Sequence, residues 1–280
     1  VTRGVAGDAQ LALLLEVAAA PKPGNVDRER DHHDLRFEQF LAGAVGARPG
    51  LDAAAAGAPV GEAFETAVAG MAERARDNTQ FGALLLLTPL VRAAASADEV
   101  TRAAATDVTE ATTVDDAVQF YRAFDHTDVG VADPPAELAD LDVRRGADAI
   151  PAVRSRGLTL SAVVTAGAPT DGVADEWASG FERTFDAAAS LCAGTAALPE
   201  RIARTFLGLL AEAPDGHVAA RHGSAVAERV RERAAALEDA DRATIDAWAD
   251  ELVDEGINPG TTADITTAAV FVALSRGVRV

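Results

Sequence analysis

Residues 76–89 read Arg76-Asp-Asn-Thr-Gln-Phe81-Gly-Ala-Leu-Leu-Leu-Leu87-Thr-Pro89. A polar break gives way to a run that is apolar on every side. A helix without a polar face must be enclosed by other elements, so this stretch predicts a central, buried helix starting near Phe81. Pro89 should kink it or sit where a partner helix packs. Around it the chain is punctuated by Gly and Pro, and its Ala- and Leu-rich runs are longer than strands usually are. Nothing alternates with period two for long. The reading is all-α, one large multi-helical domain over residues 1–280.

Upstream, residues 8–20 form a helix on Leu11, Leu14, Leu15 and Ala18, ended by Pro21 and Pro23. Asp34 can cap the next helix, 35–46. Arg48-Pro-Gly reads as a turn and 60–75 as a helix. Downstream, Ser96-Ala-Asp-Glu is a capping-box pattern opening a helix to about 111. Thr113 opens another. Residues 125–146, rich in Asp, Pro and Gly, are the one plausible linker or excursion. Asp171–Ala193 reads as a single long helix carrying Trp177, Phe181 and Phe185. Charged helices follow at about 218–238 and 242–254, and a last one runs to about Arg276.

Acidic residues outnumber basic ones 44 to 25, for a net charge of −19. No basic stripe marks a nucleic-acid partner. A surface rich in acid, with arginine in place of lysine, suits concentrated salt, where screening suppresses self-repulsion. This points to a halophilic source with a GC-rich genome. Cys192 is the single cysteine, so intramolecular disulfides and thiolate clusters are excluded, and it reads as a small buried apolar residue. No run approaches a membrane span, and no apolar signal core follows basic residues at the N-terminus. The chain reads as soluble and cytoplasmic, and a homo-oligomer is compatible with it.

The scarce residues point to a site. Lys22 is the only lysine, and Asn25, Asn78 and Asn258 are the only asparagines. All four fall in polar breaks beside strongly apolar helices: Lys22-Pro-Gly-Asn25, Asn78-Thr-Gln-Phe-Gly82 and Asn258-Pro-Gly-Thr-Thr-Ala-Asp264. Helix N-termini carry unpaired N–H groups and partial positive charge, which suits phosphate. Two such termini with Lys22 and Arg28 would hold a polyphosphate, and Gly24, Gly82 and Gly260 would let the backbone come close. Taken singly, each break is equally an ordinary cap or turn. Asp27, Asp31, His32, His33 and Asp34 crowd together; Asp27 and Asp34, with Asp264, are candidate Mg²⁺ ligands. His32 or His33 would alternatively serve as acid, base or phosphate ligand. A zinc site has no further histidine at ligand spacing. His126 reads as a surface residue. Asp215-Gly-His217 with Arg221-His-Gly223 is a second His-bearing turn, able to contact phosphate or simply to cap.

These stretches together resemble the triphosphoribosyl-dephospho-CoA synthase family, which makes the prosthetic-group precursor of citrate lyase and malonate decarboxylase. The matching residues are Glu16 with Pro21–Arg28; His32-His-Asp-Leu35 with Phe40; Asn78–Gly82; Asp215–Gly223; and Asn258–Asp264. They come in the family's order across residues 11–275. The resemblance implies a pentosyltransferase that uses ATP as sugar donor. The 2′-hydroxyl of dephospho-CoA attacks C1 of the ATP ribose, adenine leaves, and the triphosphate stays on the sugar. It implies phosphate contacts from Lys22, Arg28, Asn78 and the Asn258 loop. Gly24, Asn25, Thr79, Gly82, His217, Arg221, Gly260 and Thr262 join them as substrate-binding candidates. Mg²⁺ would sit on Asp27, Asp34 and Asp264, and the catalytic candidates are Glu16, His32 and Asp27, with Glu16 or His32 as base. Two departures stand out. The bacterial enzymes have His-Lys-Gly after Asn-Thr where this chain has Gln80-Phe81-Gly82, and they commonly have Asp-Thr-Asn where it has Asp215-Gly-His217. The chain looks like a divergent, archaeal branch with dephospho-CoA or a related acceptor. The competing readings are a Mg²⁺-dependent hydrolase of phosphate or ADP-ribose-type esters, and a nucleotide-binding protein that has lost catalysis.

Overall fold

The computed structural model describes residues 4–97, 99–131, 134 and 136–280, and among them the protein is all-α, without a strand. The first half contributes α1 (Val5–Ala18), α2 (Phe37–Gly46), α3 (Arg48–Ala55), α4 (Val60–Ala75), α5 (Phe81–Ala95), α6 (Arg102–Glu110) and α7 (Val114–Ala123). Two 3₁₀ stretches, Ala136–Leu141 and Val143–Ala149, lead into α8 (Ile150–Arg156), α9 (Leu160–Thr165), α10 (Gly172–Ser179) and α11 (Glu182–Ala193). The chain ends with α12 (Leu198–Glu212), α13 (Gly216–His222), α14 (Ser224–Ala236), α15 (Arg242–Asp254) and α16 (Gly260–Ser275).

The helix from Phe81 is central and buried, as its all-round apolarity requires: Ala83 through Val91 lie inside. It has a partner of equal standing. Every residue of α16 from Ile265 to Leu274 is buried, and α5, α1 and α11 pack on it. The large core spans α1 to α12 and α16, while Phe206, Leu210, Val230, Trp248 and Leu252 form a smaller one among α12, α14 and α15.

Pro89 sits inside α5. Having no N–H, it leaves the carbonyl of Leu85, four residues earlier, without its helical donor. The indole Nε1 of Trp177 supplies one at 3.3 Å. The proline therefore marks where α10 docks, the second of the two outcomes expected of it.

Several local expectations are corrected. Arg48-Pro-Gly is the first turn of a helix, not a free turn, since proline in the first turn loses no hydrogen bond. The helix after the 21–34 loop starts at Phe37, and Asp31, not Asp34, accepts the Phe37 N–H, at 2.9 Å. Ser96 closes α5 by donating to Arg92 O; Thr101 caps the next helix, and Asp98 of the supposed capping box lies outside the described residues. The single helix 171–193 is two, broken where Gly180 and Phe181 take positive φ. The buried Glu176 carboxylate accepts the N–H groups of Arg183 and Thr184 and so stabilises the new start. Gly223 likewise divides 218–238. Cys192 is exposed, on the last turn of α11 beyond Leu191, where the helix leaves the core.

The 125–146 excursion is tied to the body. Asp125 accepts the Ala147 N–H, and the Tyr121 hydroxyl donates to Leu141 O at 2.6 Å. Burial, aided by Asp142 and Asp140, pushes the Tyr121 phenol up to about 12, so it keeps the proton it donates. Ala132, Asp133 and Pro135 of this stretch are outside the described residues.

Three helix starts converge at one place. Asp215 caps α13 through Val218 N at 3.0 Å and also accepts Thr262 N and Thr262 Oγ1 of α16, both at 2.8 Å. Asp264 Oδ1 accepts Ala83 N of α5 at 2.8 Å. Gly82 makes that approach possible, since a Cβ there would lie 2.1 Å from Asp264 Oδ2. We expect Gly82→Ala to cost about 1–3 kcal/mol by forcing α5 and α16 apart. Urea denaturation at fixed salt measures this, and an unchanged midpoint would show that the contact yields freely.

Candidate active site

Above those helix starts lies a cavity of about 730 Å³, a size that suits a nucleotide-like ligand. Its wall draws on all three asparagine loops: Glu16 and Asn25, Asn78 through Gly82, and Asn258, Gly260, Thr261, Ala263 and Asp264. His32, Asp34, His217 and Arg221 complete the polar side. The lining also has an apolar part, built from Phe81, Phe120, Phe124, Leu138 and Leu141 among others. The expected excursion is thus one wall of the cavity.

Lys22 is wholly buried and does not reach that wall. Its Nζ donates to Glu16 Oε1 at 2.5 Å and Asn25 Oδ1 at 2.8 Å, and lies 5.7 Å from the centre of the Phe206 ring. Asn25 then donates through Nδ2 to Asn258 Oδ1 at 2.8 Å. Instead of offering its ammonium to phosphate, the only lysine orients two side chains that face the cavity and, through them, a third. Burial raises the Glu16 carboxyl above the usual range, against the opposing pull of Lys22.

Asp27 is also turned inward. It accepts Lys22 N, Glu29 N and, at 3.4 Å, the Arg30 guanidinium. Burial raises its carboxyl, against those three donors. Arg30 goes on to Asp246 at 2.7 Å and Asp250 at 2.5 Å, fastening the loop to α15. Arg28 points to solvent beside Glu29, 3.7 Å away, and is not on the wall. Thr262 is spent on Asp215. Gly24 has φ 74°, and a Cβ there would meet Ile257 O at 2.4 Å. Its room is used by the protein's own chain, as is that of Gly82. The glycine at 260 accommodates the His217 ring, whose Cγ would lie 3.5 Å from an added Cβ.

The proposed magnesium ligands are not gathered. Asp34 and Asp264 lie on the wall and Asp27 beneath it. Among the described residues no group of three or more His, Cys, Asp or Glu side chains is arranged to hold a metal. The residues do not fit a preformed cation cage. Asp264 is half-buried at the wall, and loss of water, with Glu16, Asp215 and Asp171 near it, pushes its carboxyl well above the ordinary range.

His32 is better placed. Its Nδ1 lies 3.3 Å from Asp34 Oδ1, its side chain is 8 % exposed, and its Nε2 is enclosed without a partner. Burial holds its pKa below the usual value, against the attraction of Asp34. His217 is held down likewise by burial. Sequence reasoning missed Asp171, Tyr121, Arg156 and the apolar wall. Asp171 was legible only as a helix cap, which it is: it accepts Val173 N at 2.8 Å. His126, read as a surface residue, is one, paired with Glu65 at 2.7 Å.

The family model for ATP:dephospho-CoA triphosphoribosyl transferase matches residues 2–279. The chain belongs to that family. It is a transferase, which sets aside the hydrolase reading. A crystal structure from Archaeoglobus fulgidus, provisionally named triphosphoribosyl-dephospho-CoA synthase, is similar at 25% identity with a TM-score of 0.69. The similarity covers 86% of this chain and 100% of that one. A search of the curated proteins found no match. Among the described residues no helix is long and apolar enough to cross a membrane.

Removing Lys22 strands the buried Glu16 carboxylate. Lys22→Met should destabilise the protein by about 3–5 kcal/mol, and the double change with Glu16→Gln should recover much of the loss. Thermal melting of the single and double variants decides it. Equal stability of Lys22→Met and wild type would rule out the buried-pair role.

Proposed function

We propose that the protein moves the 5-triphosphoribosyl group of ATP to the 2′-hydroxyl of 3′-dephospho-CoA, or a closely related acceptor, and releases adenine. The observation that carries this reading is the single cavity onto which Asn25, Asn78 and Asn258 all open, from loops far apart in sequence. The family match supports the donor and acceptor class.

The chemistry asks for three things. The C1–N bond to adenine breaks as the new C1–O bond forms, through an oxocarbenium-like state. The acceptor hydroxyl must lose a proton, and adenine must leave with one. The reactants must also be held in line. His32 serves as the base: Asp34 holds Nδ1, and Nε2, which no protein group occupies, takes the hydroxyl proton when acceptor binding uncovers it. Glu16 is the weaker candidate, because its Oε1 is committed to Lys22. Arg221 and the three carboxamides meet phosphate, and the apolar wall excludes water from the sugar cation. Magnesium enters with the triphosphate, an ion that keeps most of its water and uses few protein ligands. No step depends on a protein-held ion.

Incubation with ATP, Mg²⁺ and dephospho-CoA should release adenine in proportion to acceptor consumed, followed by chromatography. No adenine with this acceptor, or with related 2′-hydroxyl acceptors, would defeat the proposal. His32→Ala should lower kcat about 10²–10⁴-fold with the fold retained. A wild-type rate would move the base elsewhere.

A further inference from the structure

One step of the proposed reaction still has no residue: adenine must take up a proton as its bond to C1 breaks. A purine anion leaves poorly, and a positioned acid that protonates the base as it departs removes that obstacle.

The acidic side chains on the cavity wall differ in what occupies them. Glu16 gives Oε1 to the Lys22 ammonium, which favours its anion. Asp34 is exposed and pairs with His32. Asp171 spends Oδ1 on the Val173 and Ala174 N–H groups of α10. Asp264 is tied by a single backbone bond, from Ala83 N to Oδ1 at 2.8 Å. Among the described residues nothing hydrogen-bonds to its Oδ2, and that atom is not shut inside the protein as His32 Nε2 is. The residue is half-buried on the wall, so the unused oxygen is open to the cavity. Gly82, also on the wall, leaves room for it, since a Cβ there would lie 2.1 Å from Oδ2. The charged groups acting on Asp264 are all acidic: Glu16 of α1, Asp215 ahead of α13 and Asp171 ahead of α10.

We infer that Asp264 is the acid of the reaction, donating from Oδ2 to a ring nitrogen of the departing adenine. The inference rests on the transfer reading above. Oδ1, facing a backbone N–H, is the carbonyl oxygen of the acid, and Oδ2 carries the proton. Loss of water and the acidic neighbours hold this carboxyl well above the ordinary range, while burial holds His32 below its own. Surroundings that push two titratable groups apart in this way assign the acid and the base. The charges balance. The electron pair of the C1–N bond goes to the purine, which takes the Asp264 proton and leaves as neutral adenine. The acceptor oxygen bonds to C1 and gives its proton to His32. An Asp264 carboxylate and a His32 imidazolium remain, and proton exchange with solvent resets both.

The test compares Asp264→Asn with wild type on two donors, ATP and its 7-methylated derivative. Dephospho-CoA is the acceptor, and release of the base is followed by chromatography. The asparagine carbonyl still accepts from Ala83, but the amide supplies no proton. A purine methylated at position 7 is already cationic and leaves as a neutral base without an acid. On ATP the variant should lose about 10²–10⁴-fold in kcat, and on the methylated donor it should match wild type. That pattern supports the proposal. Equal slowing on both donors, as loss of a structural or magnesium contact would give, overturns it. So does an unchanged rate on ATP, or a wild type that cannot use the methylated donor. Should Asp264→Asn fail to fold, Asp264→Ser, which retains an acceptor oxygen, gives the same comparison. Release of no adenine from ATP by wild type overturns the transferase reading and this inference together; the other failures fall on this inference alone.

Discussion

Two aspartate side chains, one buried and one half-buried, hold the centre of this molecule together. Asp215 accepts from the starts of α13 and α16, and Asp264, on α16 itself, accepts from the start of α5. Helix starts leave N–H groups unpaired, and their partial positive charges would repel one another if simply brought together. A carboxylate between them answers both demands. That arrangement lets α5 and α16 bury their lengths in the core while their first turns meet under a polar cavity. The site is where it is because the helix starts are there.

The loop at residues 21–34 attaches to the same centre from the side. Lys22, wholly buried, is compensated by Glu16 and Asn25, and Asn25 reaches Asn258 at the mouth of α16. Arg30 fastens the loop to α15. A buried ion pair contributes little net stability but is expensive to break, so it fixes one arrangement of its neighbours more than it strengthens the fold. Here the neighbours are cavity side chains. The same logic separates residues that line the cavity from those held behind it: Asn25, Asn258 and His32 belong to the first group, Lys22, Asp27 and Thr262 to the second.

The acidity of the chain gives the cavity an unusual balance. On the proposed function, phosphate would be held against a net charge of −19, with Arg221 and Arg156 as the arginines on the wall. Neutral carboxamides, free N–H groups and the cations that accompany a triphosphate suit that setting better than a cluster of basic side chains. Replacement of a basic residue by Phe81, which packs in the aromatic core, is in keeping with it.

The sequence alone determined the helical class and the burial of α5, and it grouped the three asparagine loops that the fold brings to one cavity, because apolar periodicity and residue scarcity are properties of the chain itself. It also carried the family, through motifs kept in order over nearly the whole length. It read the helix after Asn258 as strongly apolar but gave it no central place, because its Ala, Thr and Val are small beside four consecutive leucines. It placed Lys22, Asp27 and Arg28 at the ligand because a motif names residues without saying which way they point. Direction is a tertiary property: whether an ammonium meets phosphate or a buried glutamate depends on what the fold stacks above it, and here that is Phe206 of a distant helix. The break at Gly180 and Phe181, the His32–Asp34 pair with its free nitrogen, and the open oxygen of Asp264 were likewise decided only when remote helices came together around them.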